Sequence, residues 1–417
     1  FIFANDTTTG QDYLLSRIDH QSSNHNRWFL RYSTDAGNLR DLTNFALGER
    51  ENANRTHLAV LENSHIFSPQ LLQQMRVAFL RAHVTAGKTH TRNPATDNST
   101  LAFLPHTRAI GVISVSGLSQ FPGGSGALDA DIHAFNSYQL AYVGTYLRGA
   151  HMLEWGANVE RTQFNMDSQH NPGGEFRFDS IADFLENRPS RFRAQLPGSD
   201  TVRGFRQWIG ACYIQNRWNW RGRLQLQLGV RYEPASVPRE VNGKIANLDS
   251  LTSTEMRIGD PLFRNPSGDN FAPRVGLAFR LRQSGSTLIR ASYGVYFDLL
   301  LSHHLLLAGV RNPPFFRQGS TRRLSQGDFP AHAYRVFAAN PTLDLRVERL
   351  SPEPGQPYVQ HWTLQLEQPL PGRAVLRLGY VGSHGVHLSN LTEDANLVTP
   401  VILPDGRRFY PEGGHKL

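Results

Sequence analysis

The sequence is poor in cysteine, lysine and long apolar runs. Cys212 is its one cysteine, which excludes an internal disulfide framework and a zinc site built from several thiolates. No segment approaches the roughly 18 to 20 consecutive apolar residues of a membrane-spanning helix, which excludes a helical membrane protein but not a β-barrel. Lysine occurs at Lys88, Lys244 and Lys416, so arginine carries most of the positive charge behind the net charge of +8. These arginines are scattered rather than clustered in runs, which argues against a nucleic-acid partner.

The motifs of common enzyme and metal sites are also missing. The sequence has no Gly-x-Ser-x-Gly elbow and no His-Glu-x-x-His, and its Asp and Glu residues occur singly. We expect the glycine clusters Pro122–Gly126 and Pro172–Gly174 to be flexible loop tips, because no Gly-Lys-Ser/Thr follows them. We interpret His303 and His304 as loop histidines, since adjacent strand residues point to opposite faces. We therefore predict no catalytic, metal or cofactor site, and Cys212 as a packed or lipid-facing thiol.

What the sequence has in abundance is an alternation of apolar and polar residues with a period of two. The clearest segment is RLQLQLGVRY at residues 223–232, in which Leu, Val or Tyr occupies every second position. The same alternation occurs in PRVGLAFRL (273–281) and QHWTLQLEQ (360–368). Because successive side chains of a strand point to opposite faces, each segment predicts a strand with one apolar and one polar face.

We expect about twelve such strands of roughly 8 to 15 residues, longer than is usual in soluble sheets. They are predicted at residues 11–19, 27–34, 56–67, 70–84, 136–148, 151–164, 203–219, 223–233, 270–281, 286–299, 356–367 and 373–387. Short turns alternate with long loops along the chain. The short turns are predicted at residues 21–26, 68–69, 149–150, 220–222, 282–285 and 369–372, and the long loops at 35–55, 85–135, 165–202, 234–269 and 300–355. Short turns at one end and long loops at the other are typical of an antiparallel up-and-down transmembrane β-barrel.

The membrane setting also predicts which way each face points. A strand that crosses a bilayer at about 45° needs some 9 to 11 residues, and its lipid-exposed face must be apolar. The lumen-facing candidates are Gln225, Gln227, Arg231, Arg274, Arg280, Gln365 and Glu367. The lipid-facing candidates are Leu224, Leu226, Leu228, Leu364 and Leu366. Aromatic residues gather where strands end, as at Trp218 and Trp220, and predict interfacial girdles.

Seven segments, in the same order along the chain, resemble the barrel of Oar-like TonB-dependent outer-membrane receptors, a family abundant in Acidobacteria. They are YLLSRIDHQSSNHNRWFLRYS (13–33), HIFSPQLLQQMRVAF (65–79), residues 136–166 ending in RTQFNM, YIQNRWNWRGRLQLQLGVRYEP (213–234), NFAPRVGLAFRL (270–281), IRASYGVYFD (289–298) and YVQHWTLQLEQPLPGRAVLRLGYVGSHGVHL (358–388). Seven collinear matches are far more specific than any one of them.

The resemblance implies a 22-stranded barrel around an N-terminal plug, energised through TonB, that imports a bulky nutrient across the outer membrane. Residues 1–417 then correspond to part of the barrel domain, with about twelve of the 22 strands implied by the resemblance. We expect the plug, the TonB-contacting segment, a carboxypeptidase-regulatory-like domain and the closing strand to be missing from this chain, as in a fragment or a truncated gene. The implied partners are outer-membrane lipid, the TonB complex and an unidentified bulky solute.

Two other classes of function stay open at this point. One is a structural or adhesive outer-membrane barrel whose loops bind surfaces without transport. The other is a soluble carbohydrate-binding or hydrolytic β-protein, which predicts paired carboxylates in a cleft. A second layer of protein over Leu224, Leu226 and Leu228 would exclude the membrane interpretation.

Overall fold

The computed structural model describes residues 6–91, 93–105, 107–250, 253–281, 287–302, 310–332, 334–335, 344–345, 347–389 and 401–409. Twelve long strands follow one another in a single antiparallel sheet, each hydrogen-bonded to its neighbours in sequence. They are β1 Thr7–Ser23, β2 Asn26–Leu42, β3 Gly48–Ser68, β4 Leu71–Thr91, β5 Asp131–Arg148, β6 His151–Ser168, β7 Val202–Trp220, β8 Leu224–Tyr232, β9 Phe271–Arg280, β10 Leu288–Phe297, β11 Tyr358–Pro369 and β12 Val375–Val386. All twelve predicted strands are therefore confirmed, in an all-β up-and-down order.

One predicted loop is wrong. The segment 35–55 belongs almost wholly to β2 and β3, which pair without a break from Asn26 with His65 to Leu42 with Glu49. The turn between them is residues 43–47, with a short 3-10 helix at Asn44–Ala46. The backbone groups of this part of the hairpin pair with each other whatever the side chains are, so the strands can form without an apolar face. The alternation of apolar and polar residues therefore did not predict them.

The remaining connections keep the predicted asymmetry. The described short turns, residues 24–25, 69–70, 149–150, 221–223 and 370–374, lie at one end of the sheet, which we call the short-turn end. The described parts of the long loops, within residues 92–130, 169–201, 233–270 and 298–357, lie at the other end, the long-loop end. The turn between β9 and β10 falls mostly outside the described residues.

Regular structure continues in the long loops. Three of them build a second, five-stranded sheet. Its strands, in spatial order, are Asp344–Leu345, Gln318–Thr321, Arg191–Gln195, Glu175–Phe178 and Val112–Val115. The remaining short elements are the helix α1 at Ile181–Leu185, 3-10 turns at Pro94–Thr96, Ser99–Leu101, Ser267–Asp269 and Pro371–Arg373, and the short strands Arg239–Glu240 (paired with β7), Ala246–Asn247, Arg257–Ile258, Val401–Ile402 and Arg408–Phe409.

The five-stranded sheet of the loops packs around an aromatic core on one side. Phe103, Phe176, Phe178 and Phe192 are each at most 1% exposed, and the rings of Phe103 and Phe176 meet edge to face at 4.9 Å. Aromatic side chains of this size dominate the energetics of small cores. The loops therefore form a folded cap, which we call the loop cap: residues 92–130, 169–201 and the described part of 298–357.

The prediction of flexible glycine tips is wrong for most of these residues, although Ser125 and Gly126 are exposed. Gly123, Gly124 and Gly173 are buried inside the loop cap. A Cβ on Gly123 would lie 2.0 Å from the carbonyl oxygen of Gly111, and one on Gly124 would lie 2.6 Å from the carbonyl oxygen of Thr96. These glycines are needed because two backbone segments pass each other too closely for a side chain.

The apolar face of the large sheet is uncovered. Leu228 is 48% exposed, and Leu224 and Leu226 beside it are only half-buried. In the part of the chain that the structure describes, no helix has both the length and the hydropathy to cross a bilayer. The arrangement is therefore a single wall with one open apolar face, and a sandwich with a dry core is excluded for this row of leucines.

Candidate functional site

The polar face of the large sheet carries all seven predicted polar candidates. Directly paired residues of antiparallel strands point to the same side, so the register can be followed from strand to strand. One row runs from Gln225 through Ala278 and Arg290 to Gln365. The register and the two-residue period place the others on this same side: Gln227, Arg231, Arg274, Arg280 and Glu367. The predicted apolar candidates Leu224, Leu226, Leu228, Leu364 and Leu366 share the opposite side.

The structure brings Gln227, Arg231 and Arg274 together near a partly buried cluster of polar side chains that is centred on Glu154. The Glu154 carboxylate accepts hydrogen bonds from the Tyr213 hydroxyl at 3.0 Å and from the Gln215 amide at 2.9 Å. Gln227 donates to Gln215 at 3.3 Å, which extends the network to the next strand.

Arginines complete this first cluster. The Arg231 guanidinium lies 5.9 Å from the centre of the Tyr213 ring and donates to Glu233 at 2.7 Å. Arg231 and Arg274 line a recess of about 300 Å³ together with Glu154 and Tyr213. The recess thus presents guanidinium, amide and phenol groups, all of which hydrogen-bond polar solutes.

A second cluster lies on the same face around Glu367. Its carboxylate is 3.6 Å from Arg290 and 3.3 Å from Arg377 on the two neighbouring strands. These residues line a recess of about 510 Å³ together with Gln365. Gln225 and Arg280 belong to neither recess and are exposed.

Sequence reasoning missed Glu154, Tyr213, Gln215, Arg290 and Arg377. The signal for Glu154 was present, because it falls between Leu153 and Trp155 in an alternating segment. What the sequence lacked was the register, which alone shows that Glu154 faces Gln215. At Glu154 and Glu367 each carboxylate meets an arginine, a phenol or an amide rather than a second carboxylate. That arrangement suits binding and orientation of a solute.

Buried polar residues at the long-loop end fasten the loops over the polar face. The Gln207 amide donates to the carbonyl oxygens of Ser236 and Leu300 at 2.9 Å each, and its oxygen accepts from the Ser302 backbone at 3.2 Å. Arg203, 1% exposed, donates to the carbonyl oxygen of Val310 at 3.1 Å. Both side chains point from β7 into the loops, so the loops cover the polar face at this end.

Charged pairs tie the loops to one another. His170 contacts the Asp129 carboxylate at 2.6 Å, and the Asn171 backbone donates to the other oxygen at 2.7 Å. Burial opposes ionisation of Asp129, but these two hydrogen bonds outweigh it and hold the pKa of the carboxyl below its usual range. In the same way, Lys244 outweighs the burial of Asp200 and lowers the pKa of that carboxyl.

A metal centre finds no support among the described residues. Within those ranges no group of three His, Cys, Asp or Glu side chains is placed to hold an ion. His303 and His304 lie outside the described residues, so the prediction about them stays a prediction. Cys212 is exposed on the apolar face, opposite Ala157 of β6.

The sequence matches the family described as outer membrane beta barrel domain over residues 1–414. The chain belongs to this family, and it is a β-barrel segment of the cell outer membrane. The two-faced antiparallel sheet described above is the wall that such a barrel requires. No curated protein matches the sequence.

Solved structures of outer-membrane proteins are similar to this chain, and the first of them shares its fold. The outer membrane transporter YddB from Escherichia coli superposes with a TM-score of 0.54 at 13% identity, over 90% of this chain and 40% of that one. The siderophore receptor PirA from Acinetobacter baumannii gives 0.47 at 7% identity, over 90% and 43%. The ferripyoverdine receptor of Pseudomonas aeruginosa gives 0.47 at 11% identity, over 91% and 50%. The chain therefore spans half or less of the length of these proteins.

Proposed function

We propose that residues 1–417 form part of the barrel of a TonB-dependent outer-membrane transporter, with the polar face towards the lumen and the apolar face towards lipid. The observation that carries the proposal is the single wall with two unlike faces. Its apolar side is exposed, whereas its polar side holds the Glu154 and Glu367 clusters and is roofed by the loops. Exposed apolar surface of this extent is tolerated where lipid covers it.

In this proposal the uptake route needs no catalytic residue. The loop cap captures a bulky solute at the long-loop end, which is the extracellular end of such barrels. Arg231, Arg274 and Arg290 then offer the solute hydrogen bonds and positive charge along the lumen. A plug and a TonB contact, both implied by the resemblance, would lie in other parts of the full-length protein. Siderophores and ferripyoverdine, named for the structures above, and copper, named for a further similar structure, the copper transporter OprC, are the first solutes to test.

The orientation of the two faces is tested by site-directed spin labelling. In a background without other cysteines, which includes Cys212→Ala, single cysteines at positions 225 to 228 carry the label in the reconstituted full-length protein. We expect positions 226 and 228 to be accessible to lipid-soluble oxygen, and positions 225 and 227 to a water-soluble nickel chelate. A reversed or uniform accessibility would refute the orientation.

Transport is tested in cells whose own receptors for the probe solutes are deleted. We expect the full-length protein to admit at least one of ferric siderophore, ferripyoverdine or copper into the cells, and this uptake to stop in a strain without TonB. Surface binding that persists without TonB and is never followed by entry would favour the adhesive alternative instead.

A further inference from the structure

A cluster of basic residues lies on the apolar side of the wall, towards the long-loop end. We call it the basic belt, and it consists of Arg55, His57, Arg81, His83, Arg161 and Arg206. Arg55, Arg81 and His83 are exposed, and the other three are partly exposed. This position is unusual, because a charge on the lipid-exposed side of a barrel is costly at membrane depth.

The strand register brings these residues together. Arg81 pairs directly with His57 on β3 and with Asn136 on β5, and Gln163 pairs with both Asn136 and Arg206. One row of side chains therefore runs from His57 to Arg206 across five strands. Arg55 faces His83 in the next row towards the loops. Neighbouring and diagonal residues of adjacent strands lie within about 8 Å of each other.

The residues of the belt other than Arg161 lie directly above a row of aromatic residues. That row contains Tyr32, Phe79, Tyr138 and Trp208, with Arg161 between the last two. The Arg161 guanidinium sits 5.0 Å from the centre of the Trp208 ring. Aromatic side chains of this kind mark the level of lipid headgroups in barrels.

The thickness of the membrane places the lipid headgroups at the same level. Trp208 and Trp220 lie on the apolar side of β7, one towards each end of that strand. Their separation is about 40 Å along the strand and, at a tilt of about 45°, about 28 Å across the membrane. The apolar band of an outer-membrane barrel is about 25 Å tall. The basic belt therefore begins where the hydrocarbon ends.

Two arginines of the belt have neutral hydrogen-bond partners. Arg81 donates to the Asn136 side-chain oxygen and Arg206 to the Asn165 side-chain oxygen, each at 2.9 Å, so both are held by neutral amides. The carboxylates on this side of the described wall include Asp12, at the far end of the Arg55 row on β1, and Glu51, four residues from Arg55 and paired with Arg40. Asp167 lies one row closer to the loops than Arg55 and is hydrogen-bonded to Thr201, and Glu240 lies beside Arg206.

We propose that the basic belt binds the phosphate groups of an anionic lipid in the leaflet at the long-loop end. Guanidinium groups pair with phosphate through charge-assisted hydrogen bonds, and the aromatic row beneath them lies against the lipid chains. This binding rests on the outward orientation of the apolar face given under the proposed function.

The test measures lipid binding to the purified full-length protein by native mass spectrometry. The probes are bisphosphorylated lipid A, the same lipid without its phosphates, and inorganic phosphate. Each arginine near a charged membrane surface contributes a factor of about five in affinity, so Arg55→Gln/Arg81→Gln should lose about 30-fold for the phosphorylated lipid. The matched control is Arg217→Gln, an exposed arginine on the polar face of β7, which should leave lipid binding unchanged.

The fold of each variant is checked by its heat-modifiable migration on gels, and the single variants Arg55→Gln and Arg206→Gln carry the same prediction if the double variant does not fold. Arg81→Lys, which keeps the charge, should retain most of the binding, and added salt should weaken it. Equal binding of the dephosphorylated lipid, or inorganic phosphate bound as tightly as the lipid, would overturn the proposal. So would an equal loss in Arg217→Gln. The spin-label result separates a failure here from a failure of the orientation itself.

Discussion

Gln207 is the residue on which the junction between wall and loops depends most visibly. One buried amide satisfies two carbonyl groups and one backbone N–H from two different loops. Removing such a side chain leaves those groups without a partner in a place that water does not reach easily. Each buried polar group left unpaired costs about 1 to 3 kcal/mol.

We therefore expect Gln207→Leu to loosen the loops at residues 233–270 and 298–357 while the wall stays intact. Limited proteolysis should cut these loops faster than in the unaltered protein, and the heat-modifiable gel shift of the barrel should persist. Gln225→Leu is the matched control, because Gln225 lies exposed on the same face. Equal protease resistance of the Gln207 variant and the unaltered protein would show that other contacts hold the loops.

At the scale of single elements, the unlike faces of each strand have different tolerance for charge. Ile214 lies midway between Trp208 and Trp220 on the apolar side of β7 and is 49% exposed. Gln215, the next residue, points to the polar face and contacts Glu154. The same substitution at these two adjacent positions therefore meets lipid in one case and a carboxylate in the other.

We expect Ile214→Arg to destabilise the folded barrel by about 2 to 4 kcal/mol, the cost of an arginine near the bilayer midplane. Gln215→Arg should cost little, because the new guanidinium can reach Glu154. Equilibrium unfolding by guanidinium chloride in lipid vesicles measures both. Similar losses of stability in the two variants would contradict the assignment of faces.

The paired strands β2 and β3 show a second property of the elements. They continue well past the apolar band, with ion pairs such as Arg50 with Asp41 at 2.7 Å in the extension. Exposed pairs of this kind contribute little to stability, so the extension is held mainly by its backbone ladder.

At the scale of the whole molecule, the protein consists of a wall and a separately packed loop cap. The wall is stabilised by backbone pairing and by the lipid that we propose covers its apolar face, whereas the loop cap has its own aromatic core. Because Asp129 and His170 join loops 92–130 and 169–201, acid should act on the loop cap before the wall.

The sign of this pH effect follows from Asp129, whose pKa is lowered in the folded protein. A depressed carboxyl pKa stabilises the fold at neutral pH, and this contribution disappears as the pH falls from the unfolded value, about 4, through the folded value. Proteolysis of the loop cap should therefore accelerate below about pH 4. Asp129→Asn should show faster cleavage already at neutral pH and a weaker dependence on acid. An unchanged pH profile in this variant would assign the effect to other carboxyls.

The sequence by itself determined the twelve strands and the side of the wall that each alternating residue takes. Strand geometry makes this possible, because the two-residue period is local and needs no knowledge of the neighbours. For the same reason the alternation alone is enough to group Gln225, Arg274 and Gln365 on polar faces.

The tertiary structure decided everything that depends on pairing between distant segments. The register brought Glu154 to Gln215 and gathered the basic belt, and the β2–β3 extension exists because two polar segments satisfy each other's backbone groups. Gly123 packs against Gly111 within one loop, and the aromatic core of the loop cap joins loops that are far apart in the chain. Contacts of this kind leave no periodic trace in the sequence, because each is set by where two separate segments happen to meet in space.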